Sequence, residues 1–470
     1  MCRLRELEAM AHDMGVEARW LQGRVEPGDR WWEPPLDAWP LLDLALYVGL
    51  TRKEALILRP SSVEEVANIV RAAGDLGVCL IARGGGSGVL GAAAPRGCCA
   101  VLDLSRLNNI RVDPENHVVH AGAGALLWDV EEEAGKHGLT TGLEPQSIRV
   151  ASVGGLVSTL GVGALQPGYG NIEDALLYVD IVAPVHGPVR LGSPLRPRGL
   201  TPYGLEHLPL GVEGGLGVIV SVGLRLRGKP KHVESASFRF PDLASALRAA
   251  RRLVQWNQPA LLRVLDERES LALHGAEGPL LIVAYYDDED SETLGALMGK
   301  AVKIASKEGG VEERDVYWEW RERRYNYGEL VKAVASAGMW FDTIDLQAPW
   351  STLPELHDKV IQALDNTPGV QMSYSHISHF YPNGGSLYVT IAVEAEPGAL
   401  ARAWSNALRV ARGLGSVTHH HGVGLQKLYW YTAENRDALK LYCSVKRALD
   451  PRNTLNPHGP SSHCRVHGLG

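Results

Sequence analysis

The sequence predicts an α+β protein of more than one domain, with an antiparallel sheet covered by helices in its second half. The chain has 470 residues, and at ~100–200 residues per domain it should form about two to four units. Strand-like runs alternate irregularly with amphipathic helical patterns. Glycine occupies 52 positions, well above its ordinary share of ~7%. We therefore expect loops in which something approaches the backbone closely.

Charge and composition argue against several classes of function. The formal net charge is −7 and no basic run occurs, so nucleic acid is not expected as a partner. The first residues are charged rather than apolar, which is not typical of a secretory signal. No run of ~18 uncharged apolar residues predicts a membrane-spanning helix. The sequence thus predicts a cytoplasmic protein.

The chain contains six cysteines, and no two of them have CxxC spacing. This pattern argues against a zinc ribbon or an iron–sulfur cluster. In a cytoplasmic protein we expect mostly inert thiols, and a bond between the adjacent Cys98 and Cys99 would be strained. The six residues are Cys2, Cys79, Cys98, Cys99, Cys443 and Cys464.

The N-terminal 50 residues contain four tryptophans. We expect these side chains to pack on the neighbouring domain, as most tryptophans do. The alternative is an interface or a peripheral contact with a membrane surface. The four are Trp20, Trp31, Trp32 and Trp39.

A helix is predicted directly before the first glycine-rich loop. Ser62 and Glu65 have the spacing of a capping box, and apolar residues recur at helical spacing over residues 63–76. A short apolar run then predicts a strand, and the loop RGGGSG follows at residues 83–88. The next segment, CCAVLDLSRL, again predicts a strand, so the loop joins two strands.

This order separates the loop from three better-known glycine motifs. A Rossmann loop opens a helix, and a P-loop requires lysine followed by serine or threonine. A nucleophile elbow requires GxSxG, and Ser87 lacks the second glycine of that motif. A glycine loop between strands can present consecutive N–H groups to phosphate oxygens. The alternative is a flexible hairpin turn, and this stretch alone leaves both open.

Two further small-residue segments favour the ligand interpretation. Residues 144–184 carry six glycines interleaved with serine and threonine. The segment GVEGGLGVIV, residues 211–220, leads into another strand. Three such loops, each beside a strand, predict one long groove for an extended ligand.

The second half of the sequence has a different pattern, because strand–helix units recur over residues 231–415. They predict a sheet with helices on one face. Five of the 17 histidines fall in two short stretches there, SYSHISHFYPNGGSLYVT and SVTHHHGVGLQKLYW. A buried histidine or strand tyrosine commonly serves only local structure, and a histidine triplet can bind a metal ion. If residues 374–380 form a strand, His376 and His379 point to opposite faces, which argues against a metal clamp.

Taken in order, the glycine-rich segments resemble a known flavoprotein family. RGGGSG, then EPQS with VGG and ST, then YGNIEDALLYVDIVAP, and finally EGGLGVI are similar to the FAD-binding domain of the vanillyl-alcohol oxidase and p-cresol methylhydroxylase (PCMH) type. The resemblance implies a two-lobed FAD-binding domain plus a cap domain that holds the substrate. The implied units are an N-terminal helical extension (1–49), the FAD domain (50–228), the cap (229–415) and a C-terminal segment returning to the FAD domain (416–470).

The resemblance also implies which residues hold FAD in an extended form. The pyrophosphate would lie over the first glycine loop, and the isoalloxazine and ribityl parts would meet the second segment. The third segment would close the adenine or pyrophosphate side. The implied FAD-binding residues are Ala82, Arg83, Gly84, Gly85, Gly86, Ser87, Gly88, Pro145, Gln146, Ser147, Ser152, Gly155, Ser158, Thr159, Gly161, Gly170, Glu213, Gly217, Val218 and Ile219.

Position 87 differs from the family in an informative way. Members that bond the flavin covalently through this loop have a histidine where this chain has Ser87. We therefore expect FAD to be bound non-covalently. Gly88 also replaces a common hydroxyl residue, which removes one hydrogen bond to phosphate.

Within the family, the histidine stretches resemble the alkyldihydroxyacetonephosphate synthases and their prokaryotic FAD-linked oxidase relatives, together with FDTIDLQAPW at 341–350. The resemblance implies that Tyr388 transfers protons and that the histidine triplet is required for activity. No metal is implied, and the implied catalytic residues are Tyr388, His376, His419, His420 and His421.

The synthases also carry an arginine that holds the anionic head of the substrate. This chain has Val331 at that position, and the adjacent Lys332 lacks the bidentate fork of arginine. Arg323 or Arg324 could substitute for the missing residue. The loss of the arginine counts against the synthase reaction.

We therefore expect an FAD-dependent oxidoreductase that oxidises a small hydroxy acid or alcohol by hydride transfer to flavin N5, with a histidine as base. The alternatives are a synthase-type exchange of acyl for alkyl in ether-lipid synthesis, and a non-catalytic flavin-binding subunit. The expected partners are a small-molecule substrate, an unidentified electron acceptor and a second copy of the chain in a homodimer.

Overall fold

The computed structural model describes residues 2–22, 54–197, 202–287, 289–325, 334 and 336–466. The first layer is a four-stranded sheet in the order β1-β2-β4-β3, in which β2, β4 and β3 run parallel and β1 antiparallel. Its elements are α1 (Leu4–Asp13), β1 (Glu17–Gln22), β2 (Glu54–Arg59), α2 (Val63–Leu76), β3 (Cys79–Arg83) and β4 (Cys99–Asp103).

Helix α2 forms where the periodicity predicts it. The Ser62 side chain caps it by accepting from the N–H of Glu65 (3.2 Å), and the left-handed Gly77 ends it. The Glu65 carboxylate accepts from the backbone N–H of Ser61 (2.7 Å) rather than of Ser62. Half of the predicted capping box is therefore shifted by one residue. The apolar face of α2 packs on the first sheet.

The second layer is a five-stranded antiparallel sheet in the order β5-β6-β10-β8-β9. The glycine-rich segment lies between its strands β6 and β8. The elements are β5 (Ile110–Asp113), β6 (Val118–Gly122), α3 (Leu127–Gly135), β7 (Leu139–Thr140), α4 (Val153–Thr159), α5 (Gln166–Tyr169), α6 (Ile172–Ala175), β8 (Leu176–Ala183), β9 (Gly187–Gly192), a 3-10 turn (Leu205–His207), β10 (Val218–Arg225) and β11 (Arg227–Gly228), which pairs with β7.

The cap is a seven-stranded antiparallel sheet in the order β15-β12-β14-β13-β17-β18-β16. It confirms the predicted α+β class. The elements are β12 (His232–Arg239), α7 (Leu243–Trp256), β13 (Leu261–Leu265), α8 (Glu267–His274), β14 (Leu280–Asp287), α9 (Ser291–Lys307), β15 (Val311–Glu313), α10 (Tyr317–Arg323), β16 (Met339–Pro349), α11 (Leu353–Asp365), β17 (Val370–Tyr381), β18 (Gly384–Glu394) and α12 (Pro397–Leu414).

The two faces of the cap sheet differ in chemistry. Along β16 and β18, Ile344, Leu346, Leu387 and Val389 belong to the largest buried cluster, which also contains side chains of α7, α9, α11 and α12. Because side chains alternate along a strand, the intervening positions face the other way. That second face carries the polar residues of the candidate site.

The C-terminal segment packs on the first sheet. Helices α13 (Leu428–Glu434) and α14 (Arg436–Leu449) are followed by a 3-10 turn (Pro460–Ser462) and α15 (His463–Val466). Buried Lys446 on α14 donates to the carbonyl oxygens of Gly215 (2.7 Å) and Leu455 (2.6 Å). Leu80 and Leu455 also form a parallel bridge. These contacts hold the end of the chain against β3.

All six cysteines are paired, so the prediction of inert thiols is wrong. The pairs Cys79–Cys99 and Cys443–Cys464 join neighbouring elements, and Cys2–Cys98 ties the N-terminus to the start of β4. In the pair Cys79–Cys99, the two residues lie opposite each other on β3 and β4. Sequence reasoning missed this pairing because it depends on strand order, which brings distant cysteines together.

The N-terminal region is only partly described. The guanidinium of Arg5 on α1 packs over the ring of Trp20, with its Cζ 4.3 Å from the ring centroid. The strand that carries Trp20 pairs with β2. The other three tryptophans lie outside the described residues. Across the described ranges, we find no helix long and apolar enough to cross a membrane.

We expect protein purified without reductant and then denatured to contain no thiol that reacts with Ellman's reagent, and six after reduction. The reason is that the Cα atoms of the three pairs lie 5.5, 4.2 and 5.2 Å apart, well below the ~7 Å beyond which a disulfide cannot form. As a control, Cys98→Ser should release one thiol, from Cys2. Six reactive thiols before reduction would contradict the pairing.

Candidate active site

The first glycine loop, which follows β3, packs against the second glycine-rich segment. A Cβ on Gly84 would lie 1.9 Å from Oγ of Ser152, and one on Gly85 would lie 1.6 Å from the carbonyl oxygen of Val150. No side chain fits at such distances, so the neighbouring segment requires both glycines. Gly86 has a φ of 71°, which favours glycine. Because β3 and β4 are parallel, the hairpin alternative is wrong.

Small hydroxyl residues hold the second segment together. Oγ of Ser152 caps α4 by accepting from the N–H of Gly155 (3.3 Å), and it also accepts from the N–H of Gly85 (3.3 Å). The hydroxyl of Thr159 donates to the carbonyl oxygen of Gly155 (3.0 Å). These bonds fix two glycine-rich backbones side by side.

Glu213 joins the third segment to the others. Its N–H donates to the carbonyl oxygen of Ser158 (3.0 Å). Its Oε1 accepts from the N–H groups of Val423 (2.7 Å) and Gly424 (2.8 Å), beside the histidine triplet. The φ of Glu213 is 50°, and burial raises its pKa. The second and third glycine segments and the histidine loop therefore meet at Glu213.

The residues at this meeting point fit an extended dinucleotide such as FAD. Oε2 of Glu213 is buried and has no hydrogen-bond partner among the described residues. Leaving such a group unpaired costs about 1–3 kcal/mol, so a ligand donor is expected there. The first glycine loop stays half-exposed to exposed, and glycine backbone of this kind can bind pyrophosphate oxygens.

The other residues predicted to bind FAD differ in their burial: some lie in the protein interior, and others lie along the glycine-rich backbones. Arg83 is buried and donates to Oδ2 of Asp103 (3.0 Å). Gly217, Val218 and Ile219 pack in the protein core. The remainder lie on or beside the glycine-rich backbones: Ala82, Ser87, Ser147, Ser158, Thr159 and Gly170 half-buried, Gly88 and Gln146 exposed, and Pro145 and Gly161 buried.

The polar face of the cap sheet carries a row of candidate site residues that runs across its strands. In the register, Asp345 on β16 lies opposite Tyr388 on β18, and Tyr388 lies opposite His376 on β17. The rings of His376 and Tyr388 stack 4.8 Å apart at 8°. Residues directly opposite each other share a face, so strand pairing places this row.

His379 also belongs to this row, which corrects the expectation of opposite faces. The register of β17 is irregular after Ser378, and His379 has a φ of 48°. This bulge turns its ring toward the same side as His376. The His379 ring lies 5.6 Å from Tyr388 and 5.1 Å from His420.

Hydrogen bonds link two tyrosines and two histidines into a chain. The hydroxyl of Tyr381 donates to Oδ1 of Asn171 (3.1 Å), so Nε2–H of His419 must donate to the Tyr381 oxygen (2.8 Å). Nδ1 of the neutral His419 then accepts from Nδ1–H of His420 (2.9 Å). The Tyr388 hydroxyl lies 2.8 Å from Nδ1 and 3.0 Å from Nε2 of His420, and because Nδ1 carries the ring hydrogen, Nε2 is the nitrogen that can accept its proton. The donors thus fix both tautomers.

Asp345 holds the histidine loop and was missed as a functional residue. Its Oδ2 accepts from the N–H of His419 (3.0 Å) and of His420 (3.3 Å). Its Oδ1 accepts from Nδ1–H of His421 (3.0 Å) and from Nζ of Lys427 (2.5 Å). Burial would raise the pKa of Asp345, but the Lys427 charge and His421 hold it well below its usual value.

Burial keeps the imidazoles of the site neutral. It lowers the pKa of His419 to about 4 and holds the pKa values of His379 and His420 well below the usual value for histidine. Burial and the positive charge of Arg263 also lower the pKa of His376. At neutral pH these side chains can therefore accept a proton.

The suggested substitutes for the missing anion-binding arginine are not available. Arg324 donates to Oε2 of Glu144 (3.3 Å) and to its carbonyl oxygen, and Arg321 binds both carboxylate oxygens of Glu144 (3.1 and 3.2 Å). Arg323 is largely exposed and pairs with Glu319 (2.6 Å). Val331 and Lys332 lie outside the described residues.

In the described part of the chain, the histidine cluster does not bring three potential metal ligands within 4.8 Å of one another. One group there has that spacing, namely Cys79, Cys99 and His458. Its two sulfur atoms are joined in a disulfide, so they cannot act as thiolate ligands in this state.

Two family models match the chain in sequence order. The FAD binding domain model matches residues 55–190, and the model described as FAD linked oxidases, C-terminal domain, matches residues 229–459. The alkyldihydroxyacetonephosphate synthase of Dictyostelium discoideum is 26% identical over 86% of this chain and 72% of its own. The D-lactate dehydrogenase of Archaeoglobus fulgidus is 25% identical over 90% of this chain and 95% of its own.

Solved structures show the same fold. An alkyldihydroxyacetonephosphate synthase superposes with a TM-score of 0.74, at 23% identity over 90% of this chain and 81% of its own. The 4-ethylphenol oxidase of Gulosibacter chungangensis superposes with a TM-score of 0.70, at 16% identity over 86% of this chain and 88% of its own. The chain therefore belongs to the FAD-linked oxidases and is an FAD-dependent enzyme that carries both the FAD-binding domain and the C-terminal domain of that family.

Proposed function

We propose that the protein oxidises a small α-hydroxy acid or alcohol at the polar face of the cap sheet. The observation that carries this proposal is the neutral chain from Tyr388 through His420 and His419 to Tyr381. Such a chain can take up a proton from a hydroxyl group without first losing one to solvent. The D-lactate dehydrogenase among the relatives supports the same class of substrate.

Tyr388 is the residue placed to receive the proton. With Nδ1 of His420 protonated, the Tyr388 O–H can donate only to Nε2 of that ring, and a lone pair of the phenolic oxygen can accept the hydroxyl proton of a substrate. As that proton arrives, the tyrosine proton passes to His420, and the substrate oxygen becomes a carbonyl oxygen. The Asp345 carboxylate, bonded to the backbone N–H groups of His419 and His420, keeps the accepting ring in place.

When bound, FAD would supply the electron acceptor, since accepting hydride from a substrate C–H bond is the chemistry of its isoalloxazine ring. Residues of the three glycine-rich segments would hold FAD, and the carboxyl group of Glu213 would accept a hydrogen bond from it. We propose that it is bound non-covalently, since Ser87 cannot replace the histidine of covalent members.

A second candidate is the exchange of acyl for alkyl that the synthases among the relatives are named for. The fold and Tyr388 are compatible with it. Val331, at the position of the synthase arginine, counts against it. The two reactions differ in whether the substrate leaves the flavin reduced.

We expect anaerobic mixing with at least one member of a panel of D- and L-hydroxy acids and the corresponding alcohols to bleach the visible flavin band. Reduction by dithionite serves as the control that the bound flavin is competent. No bleaching by any member, together with alkyl exchange on acyl-dihydroxyacetone phosphate, would assign the synthase reaction instead.

Tyr388→Phe should slow flavin reduction by ~10²–10⁴-fold, because the substrate proton loses its path to His420. The matched control is Tyr285→Phe on the same sheet. The Tyr285 hydroxyl donates to the carbonyl oxygen of Asn257 (3.3 Å), and its ring belongs to the cluster that includes the covering helices. Equal, small losses in both variants, at equal FAD content, would show that Tyr388 is structural.

The rate of flavin reduction should stay constant from pH 8 to about 5 and fall only below that. His420 must be neutral to accept the tyrosine proton, so activity is lost as pH falls through its pKa. Burial holds that pKa well below the usual value for histidine and lowers the pKa of the adjoining His419 to about 4. An unperturbed histidine would lose half its activity near ~6.5. Stopped-flow rates with FAD retention measured at each pH test this. Half-loss near 6.5 would indicate a solvated base.

A further inference from the structure

Arg263 lies on the same face of the cap sheet as the row formed by Asp345, Tyr388 and His376. In the register, Leu265 on β13 lies opposite His376, and Arg263 is two residues earlier on the same strand. Since positions two apart share a face, the arginine side chain projects on the side of His376 and Tyr388. Burial lowers the pKa of His376, and the charge of Arg263 is the next largest cause of that shift.

Only some of the hydrogen-bond donors of the Arg263 guanidinium have a partner among the described residues. Nη2 donates to Oε1 of Glu269 (2.9 Å), and the group lies 5.7 Å from the centroid of the Trp320 ring. Nε is buried and has no hydrogen-bond partner among the described residues. A buried donor left unpaired is costly, so this arginine is suited to a ligand that brings an acceptor.

Glu269 explains how a largely buried arginine is tolerated without that ligand. Its second oxygen accepts from Nδ1–H of His376 (3.0 Å). Burial would raise the pKa of Glu269, but His376 and Arg263 bring it down to about 2. The carboxylate is therefore ionised and compensates the arginine charge, while Nε of the guanidinium keeps a hydrogen to donate.

We propose that Arg263 binds the carboxylate of the substrate and so makes the enzyme select hydroxy acids over neutral alcohols. This inference rests on the proposed oxidation for the identity of the substrate, but anion binding can be measured by itself. The planar guanidinium suits a carboxylate because its N–H groups match the two oxygens. Arg321 and Arg324 lack this freedom, since Glu144 engages both.

The binding test uses oxalate as the probe and calorimetry on the FAD-loaded protein as the measurement. The wild type should bind oxalate, and Arg263→Met should weaken binding by roughly 10- to 100-fold, as expected for loss of a charged hydrogen-bond donor. Arg263→Lys keeps the charge but loses the fork, so we expect an intermediate loss. The Arg263→Lys variant also tests the proposal if Arg263→Met does not fold.

The matched control is Glu269→Gln, which removes the other half of the pair. If Arg263 contacts the anion, this variant should bind oxalate at least as tightly as the wild type, because the competing carboxylate charge is gone. If it weakens binding as much as Arg263→Met does, the arginine acts only through Glu269 and His376, and the proposal fails. A wild type that does not bind oxalate also overturns it.

A kinetic comparison separates this inference from the proposed function. Arg263→Met should raise KM for lactate by a much larger factor than KM for propane-1,2-diol, which lacks the carboxylate. Equal losses with both compounds would refute a role in specificity. If no compound reduces the flavin but oxalate binding still depends on Arg263, the anion site stands and the oxidative function falls.

Discussion

The buried ion pair between Asp345 and Lys427 is the interaction on which the arrangement of the site depends. Both side chains are fully buried, and Asp345 also receives two backbone N–H groups and the ring of His421. Removing one partner of such a pair typically costs ~3–5 kcal/mol, because the other charge stays buried. The pair is thus a firm anchor for the loop that carries three imidazoles.

That loop is held from two sides. Asp345 binds it from the cap sheet, and Glu213 binds the N–H groups of Val423 and Gly424 from the third glycine-rich segment. The histidines therefore take their positions only when the cap, the glycine-rich segments and the C-terminal part of the chain are assembled together. A site built this way is preorganised, because its polar groups are oriented before a substrate arrives.

Burial gives the same site its chemistry. Withdrawing the imidazoles from water disfavours their charged forms, so the chain from Tyr388 to Tyr381 is a set of neutral donors and acceptors. On the same sheet face, the guanidinium of Arg263 forms an ion pair with the carboxylate of Glu269 (2.9 Å). A chain of neutral side chains and a charged ion pair thus lie on neighbouring strands of one sheet.

The sequence by itself determined the α+β class, helix α2, the strand-to-strand glycine loop and the sheet with helices on one face, because these follow from local periodicity and turn chemistry. It also pointed to Tyr388 and the histidine loop. Tertiary structure decided that Asp345 meets Lys427, 82 positions away, that a bulge turns His379 into the row, and that Cys2 reaches Cys98. These contacts depend on strand order and register, and long-range pairing of that kind leaves no local pattern in the chain.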